Sequence, residues 1–194
     1  MVDKEDRIEL WAPCGRYLTF FDLIRCGQTQ QDTGLQNTPK MPKTYEALTT
    51  LAREVLDPVI DHFGPIRLTY GFCSRQLANH ISRGTAPRVD QHAGHELDTR
   101  GKPICDRLGA AADFILPDES MTKVAAWVAV NTGFDRLYFY GNSRPLHVSV
   151  GPDNKRQVVY VRTLNDGRRI PRTVNKWAEF FGDGLISQVT PFPE

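Results

Sequence analysis

The stretch Ala110-Ala-Ala-Asp-Phe-Ile-Leu116 reads as a strand: short, apolar, closing on aromatic and branched residues. Ser120 follows as an N-cap for a helix from Met121 to about Asn131, with Val124, Trp127 and Val128 on one face. Downstream, Leu137-Tyr-Phe-Tyr140 and Leu146-His-Val-Ser-Val150 predict two further strands, parted by the turn-rich segment 141–145. Residues 157–162 predict another, followed by a basic loop and an aromatic segment around 177–181. Upstream, residues 66–72 alternate as a strand. Residues 44–62 carry Leu48, Leu51, Val55 and Val59 at helical spacing; this helix is expected to start at Thr44, to kink or break at Pro58, and to end at Gly64-Pro65. Residues 18–24 predict an apolar turn or short helix, 27–43 a long surface loop, and 74–82 a short helix. Residues 84–109 are polar and irregular. Together these elements predict an α+β fold, a small, mostly antiparallel sheet with helices packed on one side.

The chain has 194 residues, the size of one domain, and its 40% hydrophobic content suffices for a packed core. With 24 Lys+Arg against 23 Asp+Glu the net charge is +1, which argues against a general nucleic-acid or membrane-surface binder, since both need a concentrated positive field. The basic residues Lys155, Arg156, Arg168, Arg169 and Arg172 lack interleaved aromatics and read as solvated loop charge. The charged start, with no apolar run behind it, predicts no signal peptide and hence a cytoplasmic protein, and no stretch approaches the length of a membrane span. Cys14, Cys26, Cys73 and Cys105 are widely spaced and predict free thiols in a reducing compartment.

Two of the strands carry an ionisable side chain inside an apolar run, Asp113 and His147. A buried imidazole needs a partner, and a buried unpaired carboxylate is costly. One divalent ion held by both would satisfy them and leave a position for water. A direct Asp113–His147 pair is the alternative. Of the other histidines, His62 and His80 lie near helix ends and read as solvated. His92 and His95 stand in a stretch dense with acceptors, Asp90-Gln-His-Ala-Gly-His-Glu-Leu-Asp98.

These residues resemble a family, the peptidase M15 group of zinc D-Ala-D-Ala carboxypeptidases and L-Ala-D-Glu endopeptidases with the hedgehog/DD-peptidase fold. The likeness runs from about Leu18 to Val150. It includes FFDLIRCGQTQQDTGLQNTP, the helix end LDPVIDHFG, and Leu68-Thr-Tyr-Gly-Phe-Cys-Ser74, which is similar to the family's SGYRS segment, with Asn79 beyond it. Gln91-His92, Gly109-Ala-Ala-Ala-Asp113, and the pair Phe134-Asp-Arg-Leu-Tyr138 and His147-Val-Ser149 follow in the family's order.

The resemblance implies a single domain over 1–194, with a C-terminal extension after about 151 and zinc held by a His, an Asp and a His. Asp113 and His147 take the second and third ligand positions. At the family's usual spacing the first position falls on Asp106, so the Gln-His context points instead to His92, with an insertion at about 94–107. A hairpin turning at Thr99-Arg-Gly-Lys102 would bring His92 back to Asp113 and set His95, the rival ligand, opposite Asp106. The family's arginine is replaced by Cys73, with Arg75 two residues on as the substrate-binding substitute. Residues 141–146 hold no carboxylate, so Glu96 is the expected general base, with Asp98 and Asp106 as alternatives. The implied activity is hydrolysis of peptidoglycan-type peptides by a phage-type lysin or a cytosolic amidohydrolase; the other implied role is a metal-clamped binding protein on the same fold.

Overall fold

The structure is a computed structural model and describes residues 9–81, 86–164, 166–176 and 180–182. One six-stranded sheet organises it: β1 (Arg67–Tyr70), β2 (Ala110–Ile115), β3 (Arg136–Phe139), β4 (Leu146–Val150), β5 (Gln157–Thr163) and β6 (Arg169–Val174). Their spatial order is β1-β2-β4-β3-β5-β6. Every pairing is antiparallel except the parallel β3–β5 contact. Alternate residues of the central strands, among them Ala112, Phe114, Leu137, Val148 and Val158, point into one apolar cluster with the helices. Trp127, Met121 and Val124 enter it from α6 (Met121–Asn131), which begins where Ser120 Oγ accepts from the Lys123 N–H.

The N-terminal half lays its helices on this cluster. Thr19 and Asp22 close a capping box at α1 (Phe20–Arg25). The segment expected to be one long loop contains α2 (Gln28–Thr33), whose QTQQDT sequence has no apolar stripe to reveal it. The long helix starts earlier than Thr44: α3 (Pro42–Leu51) has Met41 as N-cap and a proline in its first turn, where the missing N–H costs nothing. It does not break at Pro58. A π-turn over Ala52–Leu56, in which the Asp57 N–H reaches back to the Ala52 carbonyl, absorbs the proline at the start of α4 (Asp57–Phe63). Gly64, at φ 88°, ends the helix.

Two further expectations need correction. The helix after β1 is only α5 (Arg75–Ala78), and part of the span expected for it lies outside the described residues. The basic loop is in fact β6, paired with β5 from Val158↔Val174 to Thr163↔Arg169. Its RIPRTV sequence has a proline and no apolar alternation, a composition suited to an edge strand that presents few features to pattern reading. Of the aromatic segment, Phe180 and Phe181 are described and pack on Phe139, while Trp177 lies outside the described residues. No helix among the described residues is long and apolar enough to cross a membrane.

Entry to β2 depends on one glycine. Gly109 has φ 89°, and a Cβ there would sit 1.9 Å from the Val150 carbonyl oxygen. The strand carrying Asp113 is thereby drawn tightly against β4.

Candidate metal centre

Asp113 is opposite in parity to Ala112 and Phe114, so it projects from the face of the sheet away from the helices. The register places Tyr70, Asp113, His147 and Tyr138 side by side on β1, β2, β4 and β3. One row across four strands thus holds two potential ligands between two phenols.

His92 is brought to this row from the covering segment. It occupies a 3₁₀ turn, Gln91–Ala93, in which the Asp90 carboxylate accepts from the His92 N–H at 3.1 Å. Gln91 anchors the turn: its Nε2 donates to the Leu108 carbonyl, Asp135 Oδ2 and the Val150 carbonyl, and its Oε1 accepts from Ser149 Oγ. The His92 carbonyl accepts from the Cys73 N–H at 2.9 Å. Its Nδ1 donates to the Gly71 carbonyl at 2.8 Å, which leaves the Nε2 lone pair directed at the row. Gly71 is itself pressed against the backbone of α1, because a Cβ there would lie 2.0 Å from the Leu23 carbonyl oxygen.

The three donors converge. His92 Nε2 is 3.1 Å from His147 Nδ1, His147 Nδ1 is 2.8 Å from Asp113 Oδ1, and Asp113 Oδ1 is 3.3 Å from His92 Nε2. Tetrahedral zinc with bonds of about 2.0–2.1 Å sets its ligand atoms roughly 3.3 Å apart, so this triangle fits such an ion. Side-chain exposure rises from 5% at His92 through 12% at His147 to 27% at Asp113, so the cluster is closed on one side and open on the other. Tyr70 packs edge-on against His92 at 4.4 Å and Tyr138 against His147 at 5.1 Å. Arg107 holds the Tyr138 hydroxyl at 3.2 Å.

Burial alone would raise the Asp113 pKa, but His92 and His147 beside it outweigh burial and hold the carboxyl well below the usual carboxylate range. Burial opposes a charge on His92 as well, yet Asp113 lifts its pKa above the ordinary histidine value. The cluster therefore favours an ionised carboxylate with positive charge beside it, the electrostatic condition a bound cation meets.

The remaining predicted site residues lie elsewhere. His95 is not opposite Asp106: its Nε2 accepts from the Gly109 N–H at 3.1 Å, and it lines a separate cleft of about 330 Å³. Asp106 pairs with Arg88 at 2.9 Å. Neither joins the cluster. Glu96, 7% exposed, turns its carboxylate to the start of α3, accepting from the N–H groups of Lys40 and Met41 and from Thr44 Oγ1. It serves as an anchor for that helix and not as a free base. Residues 97–103 form a hairpin, with Leu97 bridged to Pro103 and the Asp98 N–H donating to the Lys102 carbonyl. Arg75, exposed in the first turn of α5, lines a larger cleft of about 720 Å³ together with Tyr70, Cys73 and the hairpin.

Sequence reading missed Gln91, Tyr70 and Tyr138 as parts of the site. Cross-strand register marks both tyrosines, and no local spacing shows it. Compared with known proteins, the chain matches no protein-family model, no curated protein and no solved structure.

Proposed function

We propose that the protein is a zinc-dependent amide or peptide hydrolase, a divergent relative of the peptidase M15 group. The convergence of His92 Nε2, Asp113 Oδ1 and His147 Nδ1, all within 4.8 Å of one another, carries this reading. Zinc bound there would polarise an amide carbonyl and make a bound water nucleophilic near neutral pH. The chain's own residues supply the rest. Gly71 and Gln91 fix the His92 ring, Asp113 and His147 project side by side from paired strands, and the neighbouring cleft receives the substrate, proposed as a peptidoglycan-type peptide. Arg75 stands in that cleft as the substrate-binding cation. Of the carboxylates lining it, Asp98 and Asp106 are engaged by Arg100 and Arg88, whereas Asp90 has no ion-pair partner among the described residues. Asp90 is therefore the cleft carboxylate best placed to accept a proton.

A second reading is a metal-binding protein on the same architecture without turnover. The engagement of Glu96 at the start of α3 favours it, since the expected base is occupied. Metal analysis of the wild type beside His147→Ala and Asp113→Ala tests the premise common to both. One equivalent of zinc in the wild type, lost in both folded variants, is expected. A folded wild-type protein that neither carries nor takes up zinc would overturn both readings. Chelator-sensitive cleavage of cell-wall peptides then separates the enzyme from the binder.

A further inference from the structure

The cleft beside the triad has a wall that the metal reading leaves unused. Residues 97–103 close as a hairpin on a fixed base, where the Ile104 N–H donates to the Glu96 carbonyl and the Glu96 side chain is tied to the start of α3. The hairpin tip is also ordered. Asp98 accepts from the N–H groups of Arg100 and Lys102 and from the Arg100 guanidinium. A braced arm therefore lines the same cleft as Tyr70, Cys73 and Arg75.

Its charges do not cancel uniformly. Seven formally charged side chains line the cleft: Arg75, Arg88, Arg100 and Lys102 against Asp90, Asp98 and Asp106. Arg88 takes up Asp106, and Arg100 takes up Asp98. Those two carboxylates are spent within their own pairs. The Arg75 guanidinium and Lys102 ammonium are exposed and have no ion-pair partner among the described residues, leaving two cations against Asp90 alone. Two unpaired cations lining one cleft, one from α5 and one from a braced hairpin, form a site for a negatively charged group.

We propose that this cleft is an anion-binding site in which Lys102 of the hairpin and Arg75 of α5 grip a carboxylate or phosphate group of the ligand. The hairpin is then the recognition element: it selects molecules long enough to reach from the triad to Lys102 and negatively charged at that distance. The inference deepens the proposed function, which already sets Arg75 in this cleft as the substrate-binding cation, by adding Lys102 and the charge of the ligand. Neither cation belongs to the triad, so the site is testable apart from the metal.

The test is an amide chemical-shift titration of the full chain at low salt with inorganic phosphate and, separately, with glutarate. Saturable shifts centred on residues 75 and 98–104 are expected with at least one of them. A tighter phosphate response assigns a phosphorylated ligand, and a tighter glutarate response a peptide or other carboxylate. Lys102→Gln and Arg75→Gln should each weaken binding about tenfold, the value of one charge-assisted hydrogen bond. Arg162→Gln, on exposed β5 surface, should leave it unchanged. The proposal is overturned if neither anion gives a saturable response in the millimolar range. It is equally overturned if the two cleft variants bind as the wild type does, or if Arg162→Gln weakens binding as much as they do. Zinc content measured on the same samples keeps the outcomes apart: anion binding without zinc removes the hydrolase and keeps this site, and zinc without anion binding does the reverse.

Discussion

Replacing Glu96 by glutamine separates an anchor from a catalytic base. Its Oε1 accepts from the Lys40 N–H at 3.0 Å, the Met41 N–H at 3.1 Å and Thr44 Oγ1 at 2.9 Å, and its Oε2 lies 3.2 Å from the Lys40 nitrogen. A glutamine can place its oxygen at the Oε1 position and keep three bonds, but the negative charge is lost and an NH₂ then faces the Lys40 N–H. Hydrogen bonds to a charged partner are worth about 1.5–3 kcal/mol against about 1 for neutral ones, and a charge at a helix start adds about 0.3–1 kcal/mol. The expected cost is about 2 kcal/mol. For a chain of this length that is a fall of roughly 4–8 °C in Tm. Glu96→Ala, which leaves those donors unsatisfied in a buried site, should cost about 3–5 kcal/mol. Urea or thermal unfolding of metal-stripped protein measures both without contribution from ligand binding. A Glu96→Gln protein as stable as the wild type, yet deficient in turnover with its metal retained, would refute the anchoring role and return Glu96 to catalysis.

Two other expectations follow from buried groups. Burial lowers the His95 pKa, and its Nε2 must stay unprotonated to accept from Gly109, so the unfolded chain takes up that proton more readily than the folded one. Its contribution is fully present above the unfolded value of about 6.5 and is lost as pH falls toward the lower folded pKa; His95→Gln should flatten the unfolding free energy between about pH 7 and pH 5, and an unchanged slope would dismiss the idea. Burial also pushes the Cys14 and Cys26 thiols up to about 12 and Cys73 to about 11, so iodoacetamide at pH 8 should label them only after unfolding. Rapid labelling of the native protein, read by mass spectrometry, would contradict that burial.

Legibility in the sequence followed the physics of each element. Strands β2 and β4 and helix α6 declared themselves because their apolar runs and the Ser120 cap are local signals. Helix α2 and strand β6 did not, since one is polar throughout and the other gains its stability from pairing with β5 and not from a buried face of its own. Asp113 and His147 were conspicuous as ionisable groups in apolar strands. His92 is marked only by its Gln-His context in the family resemblance, and its neighbours Gly71 and Gln91 act through contacts to residues far away in the chain. The engagement of Glu96 is hidden for a similar reason: its partners, Lys40, Met41 and Thr44, lie more than fifty residues upstream, where no spacing rule connects them.

Gln91 has a consequence for how this protein can change. Its amide donates to the carbonyl of Leu108, so the two ends of the covering segment meet at a single side chain that is also fastened to β4 and Asp135. The closure is made before the length of what lies between is felt, and doubling a flexible loop costs only about 0.6 kcal/mol more. The hairpin 97–103, beyond the Glu96 anchor, is therefore an exchangeable cassette. A lineage or an engineer can lengthen, shorten or recharge it while the three donors beneath keep their places.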